Sequence, residues 1–194
     1  MLTGMILAGG RVENSEHVST ESFKASKMKQ CIESHLYAMK EVCSEVIVVT
    51  DYPQHLLRCF GSSVRIITDF YSHKGPLTAM HAGFSLAKQP LLWVVGYEEE
   101  PLHPQAVQRL LEMQKNQHLD AVLPIQKGKV RPLNALYQKK HIDKMITLLE
   151  GGIQQVEEYL YFLQTATLEV DQVKPLEYVM EPNGIQAEEN VGSK

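Results

Sequence analysis

Cysteine is scarce in this chain. Cys31, Cys43 and Cys59 are odd in number and lack a Cys-x-x-Cys pairing, which argues against a disulfide framework or a structural zinc site and points to a reducing cytosol. Neither Cys31 nor Cys43 has the basic surroundings that a thiolate nucleophile needs. Long apolar runs are missing too: Lys, Glu, Gln or His interrupts every candidate, so no membrane span is expected. The N-terminal run Met1 to Ala8 is short, with no basic residue ahead of it, and is expected to be a buried first strand rather than a signal peptide. One-sided charge is also lacking. Nineteen basic residues against 23 acidic ones give a net charge of -4, with no Lys/Arg stripe to track a phosphate backbone, so nucleic acid is not an expected partner. There is no internal repeat.

What remains is an ordinary globular composition, 44% hydrophobic and 22% charged over 194 residues, enough for one well-cored domain and too little for two. That domain is expected to cover 1–180. The stretch 181–194, without apolar periodicity, is expected to be a mobile tail. Short apolar runs alternate with longer amphipathic ones, which predicts an α/β, Rossmann-like three-layer fold: a mostly parallel sheet, helices on both faces, and an antiparallel strand in the C-terminal half. Strands are expected at 5–7, 45–50, 64–68, 91–95 and 120–124, and helices at 28–41, 76–88 and 104–117, the last two opening on proline. Gly128 marks a turn into a returning strand over 130–137. Helices follow at 141–150 and 153–163, parted by Gly151-Gly152 in positive-φ conformations.

Three segments could carry chemistry. Leu7-Ala8-Gly9-Gly10-Arg11 runs from a strand into paired glycines, whose backbone N–H groups can approach a nucleotide closely, with an arginine to neutralise phosphate; a plain sharp turn explains the glycines as well. Asp69 ends a strand and leads through Gly75-Pro76-Leu77 into a helix with small residues at Ala79, Ala82 and Gly83. Carboxyl ends of strands are where open α/β sheets bind ligands, although close helix–sheet packing accounts equally for the small residues. Glu98-Glu99-Glu100 closes another strand, where a divalent cation would relieve carboxylate repulsion; a solvated acidic loop before a helix N-terminus is the alternative. His73, His81 and His103 lack metal-ligand spacing and are expected at the surface or in helix packing.

In this order, the three segments resemble the MobA family of molybdenum cofactor guanylyltransferases, within the Rossmann-like nucleotidyltransferases. The likeness rests on Leu7-Ala8-Gly9-Gly10, on Gly75-Pro76-Leu77 with Ala82-Gly83, on Trp93 opening a strand that reaches Glu99-Glu100-Pro101 where the family has Asp-x-Pro, and on Pro132-Leu133-Asn134-Ala135-Leu136-Tyr137. It implies that molybdopterin phosphate attacks the α-phosphate of GTP and pyrophosphate leaves, with Mg2+ as the ion, in a cytoplasmic protein that can work beside other molybdenum cofactor biosynthesis proteins. On this resemblance Leu7, Ala8, Gly9, Gly10, Asp69 and Gly75 bind the nucleotide, Glu99 takes the place of the metal aspartate, and Arg11 and Lys24 face phosphate, with Lys27 as the other candidate lysine.

The departures fall at the demanding positions. Where the family continues Arg-Met-Gly, the loop from Arg11 to Phe23 is longer and carries Glu13, Glu16 and Glu21. The metal aspartate is a glutamate, and the family's Asn-x-Asn-Thr-Pro is replaced by Met180-Glu181-Pro182-Asn183. Two other functions therefore stay open: a catalytically degenerate member that binds a nucleotide, a cofactor intermediate or a protein partner, and a sugar-phosphate or cytidylyl transferase of the same fold.

Overall fold

A central sheet forms where the chain is continuously apolar. The computed structural model describes residues 1–9, 18–61, 64–69, 75–171, 178–181 and 184–187, and the side chains of all but 18–25 and 178–187. Within these residues β1 (Leu2–Leu7), β2 (Glu45–Thr50), β3 (Arg65–Thr68) and β4 (Leu91–Gly96) run parallel. Then come β5 (Ala121–Gln126), β6 (Lys129–Val130), β7 (Asn134–Gln138) and β8 (Thr165–Glu169). The sheet runs β3-β2-β1-β4-β7-β5, with β8 on the far side of β5 and β6 continuing the β7 side. The mostly parallel sheet and the antiparallel strand of the C-terminal half are thus as the sequence predicts. β7 lies antiparallel between β4 and β5, so β5 never touches β4.

Alternation along each strand sends side chains to two separate cores. Met5, Leu7, Ile47, Val49 and Val94 pack with Leu77, Met80 and Phe84 of α3 (Pro76–Leu86), Met145 of α5 (Ile142–Glu150) and Tyr159 of α6 (Val156–Leu160). On the opposite face Ile6, Ala8, Val48, Trp93 and Val95 meet Ile32 and Met39 of α1 (Val18–Lys40), Leu56 of α2 (Pro53–Phe60) and Leu110 of α4 (Pro104–Gln117). Small residues set how closely α3 approaches β1. A methyl group added at Gly83 would lie 2.6 Å from Met5 Sδ, closer than packed atoms tolerate.

Several expected boundaries shift, for local reasons. The strand expected over 130–137 is two strands, because Pro132 offers no N–H to a ladder and Asn134 N–H closes a turn onto the Arg131 carbonyl at 3.1 Å. The helix expected from residue 28 begins at Val18, since polar Ser, Thr and Glu can continue a helix without apolar periodicity. The helix expected over 153–163 shrinks to Val156–Leu160: the Gln154 carbonyl accepts Leu77 N–H, one of the N-terminal amides of α3, at 3.3 Å. Of the glycine pair only Gly152 has positive φ, at 78°, while Gly151 sits at -74°. Tyr178–Glu181 and Gly184–Ala187 pair as an antiparallel hairpin, β9 and β10; the rest of the expected tail lies outside the described residues. No helix among the described residues is long and apolar enough to cross a membrane.

At the sheet edge opposite the carboxyl ends, Asp120 ties three segments together. Its carboxylate meets Lys140 Nζ at 2.7 Å and His141 Nε2 at 3.0 Å, and accepts Gln164 N–H at 2.9 Å. Lys140 and His141, at the start of α5, thus clasp the residue that leads into β5. Burial alone would raise the Asp120 carboxyl, but the bonds from Lys140, Gln164 and His141 outweigh it and hold it down at about 2, against an ordinary 3.8. The folded state therefore binds its proton more weakly than the unfolded one. The stabilisation is complete above the ordinary value and is lost as pH falls through 3.8 towards 2. Asp120→Asn should be less stable than wild type by about 1–2 kcal/mol near neutrality. Urea melts at descending pH should show the two proteins converging in that window.

Candidate functional site

The order β2-β1-β4 reverses direction around β1, and a sheet opens its ligand crevice at the carboxyl ends beside such a reversal. Leu7 and Ala8 leave β1 there, tied on both sides: Ala8 N–H donates to the Val49 carbonyl at 2.7 Å, Thr50 Oγ1 donates to the Ala8 carbonyl at 3.0 Å, and Tyr97 N–H donates to the Leu7 carbonyl at 3.0 Å. Gly9 follows directly below Asp51, whose Oδ2 is 3.3 Å from where a Gly9 methyl would be. Asp51 also opens a cleft of about 440 Å3 lined by Tyr52, His55 and Arg58, in the stretch that sequence reasoning left unassigned. Gly10 and Arg11 lie outside the described residues.

Across β1, the end of β4 turns sharply. Glu99 N–H donates to the Gly96 carbonyl at 2.9 Å, closing a turn with Tyr97 and Glu98 at its centre. The three glutamates are held differently. Glu98 Oε1 accepts from the Tyr97 hydroxyl at 2.9 Å, and Glu100 Oε2 accepts from Lys127 Nζ at 2.6 Å. Glu99 faces Arg131 Nη1 at 3.6 Å. Burial, then the Glu98 carboxylate, pushes the Tyr97 phenol up to about 12, so it stays a donor.

Two buried polar side chains fasten this turn, and composition gave no sign of either. Asn134 on β7 accepts from Trp93 Nε1 at 3.1 Å and donates to the Glu100 carbonyl at 2.8 Å. His35 on α1 lies with Nε2 3.3 Å from the Tyr97 carbonyl. Burial pushes the His35 ring down to about 4, against the pull of the Tyr97 and Glu99 backbone, so it is neutral at pH 7 and carries its one proton towards Tyr97. Helical spacing places Lys27, Cys31 and His35 on one face of α1. Cys31 feels both Lys27 and Glu98 while burial raises its thiol, so the lysine-bearing face of α1 looks towards the acidic turn. Lys24 stands one turn earlier on the same helix; its side chain lies outside the described residues. Burial drives the Cys43 thiol up to about 12, which keeps it inert.

The remaining expected residues form a second group. Asp69 Oδ2 accepts from the Thr78 hydroxyl at 2.6 Å, and that hydroxyl is 2.7 Å from the Gly75 carbonyl. His81, buried on α3, senses Asp69 through the charge that opposes its burial-lowered pKa. Gly75 adopts φ 92°, and a methyl there would lie 3.2 Å from both the carbonyl oxygen and Cβ of Gln154. Glycine at 75 therefore serves the turn and the approach of the 153–155 segment. β2 separates β3 from β1, which sets Asp69 about 10 Å along the edge from Leu7. His73 lies outside the described residues, while His103 caps α4, its Nδ1 accepting Gln105 N–H at 3.2 Å.

The Glu99 carboxylate at the end of β4 is compatible with a magnesium ion that would arrive with a triphosphate, and among the described residues no group of three or more His, Cys, Asp or Glu could cage a metal. Magnesium bound through one or two carboxylates completes its shell with phosphate oxygens and water.

The profile of the MobA-like NTP transferase domain matches residues 4–165. The molybdenum cofactor guanylyltransferase of Desulfosudis oleivorans is 25% identical over 167 residues, covering 86% of this chain and 80% of that protein. The crystal structure of molybdopterin-guanine dinucleotide biosynthesis protein A from Archaeoglobus fulgidus superimposes with a TM-score of 0.65 at 18% identity, covering 87% of this chain and 83% of that one. The 4-diphosphocytidyl-2C-methyl-D-erythritol synthase of Anaerococcus prevotii superimposes at 0.60 with 10% identity, over 88% and 87%.

Proposed function

The chain belongs to the MobA-like NTP transferase family, and from that premise we propose that it transfers GMP from GTP to molybdopterin. The observation that carries the proposal is the junction at the sheet reversal, where Tyr97 N–H joins the Leu7–Gly9 exit of β1 to the turn presenting Glu99. A nucleotide laid across the carboxyl edge would have its phosphates over Gly9 and its magnesium at Glu99. Asp69, oriented by Thr78, would contact the nucleoside end. When bound, magnesium neutralises the triphosphate and the charge that builds on the departing pyrophosphate.

The chain's own residues then position and screen. Backbone donors after Gly9 would cradle phosphate, with Lys24, Lys27 and Arg11 supplying positive charge. The carboxyl edge carries Asp51, Asp69 and three consecutive glutamates, and two of its cations, Lys127 and Arg131, already face carboxylates. A triphosphate is therefore repelled until magnesium and the lysines of α1 engage it. Molybdopterin phosphate attacks the α-phosphorus opposite the bond to the leaving pyrophosphate, a reaction needing alignment more than acid–base chemistry.

Calorimetric titration with GTP, ATP and CTP, each with and without magnesium, tests the reading. Magnesium-dependent binding that prefers GTP supports it and justifies a transfer assay with molybdopterin; silence with all three nucleotides refutes it. Lys24→Ala should weaken GTP by about 10- to 100-fold while leaving guanosine affinity unchanged, because a charge-assisted phosphate contact contributes on the order of 1.5–3 kcal/mol. Equal losses for the two ligands would remove Lys24 from the phosphate site.

A further inference from the structure

His35 is a fully buried imidazole in the middle of a long surface helix. Nothing in its helical position calls for a polar side chain there, since the neighbouring positions Ile32 and Met39 bury apolar ones. Its Nε2 lies 3.3 Å from the Tyr97 carbonyl and the ring also feels the Glu99 backbone, while Nδ1 is buried without a partner among the described residues. Leaving a ring nitrogen dry and unpaired costs stability, and a leucine would avoid that cost. The Tyr97 carbonyl belongs to the centre of the Gly96–Glu99 turn, and the amide of the same residue already reaches Leu7. The contact thus joins α1, the exit of β1 and the acidic turn at a single residue.

We propose that His35 is a positioning residue: its imidazole N–H clasps the Tyr97 carbonyl and thereby holds the turn so that Glu99 faces the crevice. The inference rests on the transfer reading for the role of Glu99, but the clasp itself is measurable without any nucleotide. Without the ring, the turn keeps its own Glu99-to-Gly96 bond yet loses its tether to α1. Glutamine places an amide N–H at nearly the same reach as Nε2, so His35→Gln keeps the tether, whereas His35→Leu removes it and spares the packing. His35→Phe fills the site if leucine leaves the chain unfolded.

Amide hydrogen exchange at Tyr97 and Glu99, read against core amides such as Ile6 and Val94, is the first measurement. In His35→Leu the turn amides should exchange about tenfold faster relative to the core, and in His35→Gln they should return close to wild type. The second is the ratio of GTP affinities with and without magnesium, which should fall towards one in His35→Leu and recover in His35→Gln. Turn amides that exchange no faster, or that accelerate only in step with the core, overturn the clasp. Loosened amides with an undiminished magnesium ratio overturn its service to Glu99. If wild type itself shows no magnesium-dependent GTP binding, the transfer reading falls, and the exchange data alone decide the clasp.

Discussion

Glu99→Gln is expected to abolish most of the magnesium dependence of nucleotide binding, by about 10- to 100-fold in affinity, while the melting temperature stays within a degree or two of wild type. The substitution keeps the shape of the side chain and removes only its charge. Its partner Arg131 is 3.6 Å away and both groups are partly solvated, with side-chain exposures of 30% and 24% for Arg131 and Glu99, so the ion pair adds little stability. The neighbouring glutamates are built-in controls. Glu98 is engaged by the Tyr97 hydroxyl and Glu100 by Lys127, so Glu98→Gln and Glu100→Gln should leave the magnesium ratio near wild type. Glu99→Asp restores the residue type of the family motif and should retain the dependence. Wild-type behaviour in Glu99→Gln, or the same loss from all three glutamines, would exclude Glu99 as the metal carboxylate.

The parts legible in the sequence were those where one residue type repeats for one reason. β2 and β4 are continuous apolar runs because both their faces are covered, and Pro104 marks the first turn of α4 because its missing N–H costs nothing there. The exits of β1 and β4 were legible as well, since glycine and clustered carboxylates stand out at strand ends. Less visible were α2, only eight residues long, and β8, whose Thr-Ala-Thr-Leu-Glu alternation belongs to a half-exposed strand. His35 and Asn134 were illegible for a deeper reason. A polar residue in an amphipathic helix or a short strand looks like a solvated position, and only the tertiary neighbours, Tyr97, Trp93 and Glu100, reveal that it is buried and bonded.

The site is therefore supported from behind by polar bonds. Apolar packing fixes β1 and β4, but it cannot fix the backbone beyond their ends, where carbonyls must find donors or remain in water. The Tyr97 carbonyl meets the His35 ring, the Glu100 carbonyl accepts from Asn134, and the Leu7 carbonyl accepts from Tyr97 N–H. A carboxylate placed on such a segment is pre-oriented, which matters for a metal ligand whose geometry tolerance is small.

Asn134→Leu should be the most destabilising of these substitutions, by about 2–4 kcal/mol, because it strands two buried groups at once, the Trp93 indole N–H and the Glu100 carbonyl. For a domain of this size that corresponds to a fall in Tm of roughly 5–12 °C. Trp93 is the chain's single tryptophan and is fully buried, so its fluorescence reports directly on the lost bond. A double-mutant cycle separates the two costs. Trp93→Phe removes the N–H while keeping an aromatic ring, and in that background Asn134→Leu should cost about 1 kcal/mol or more less than in wild type, since no indole donor is left unpaired. The cost that persists in the Trp93→Phe background belongs to the freed Glu100 carbonyl and to packing, and a looser backbone beside Glu99 should appear as weaker magnesium-dependent GTP binding. Additivity across the cycle would mean that the 3.1 Å bond between Trp93 and Asn134 contributes nothing, and would move the origin of the destabilisation to leucine packing against β4.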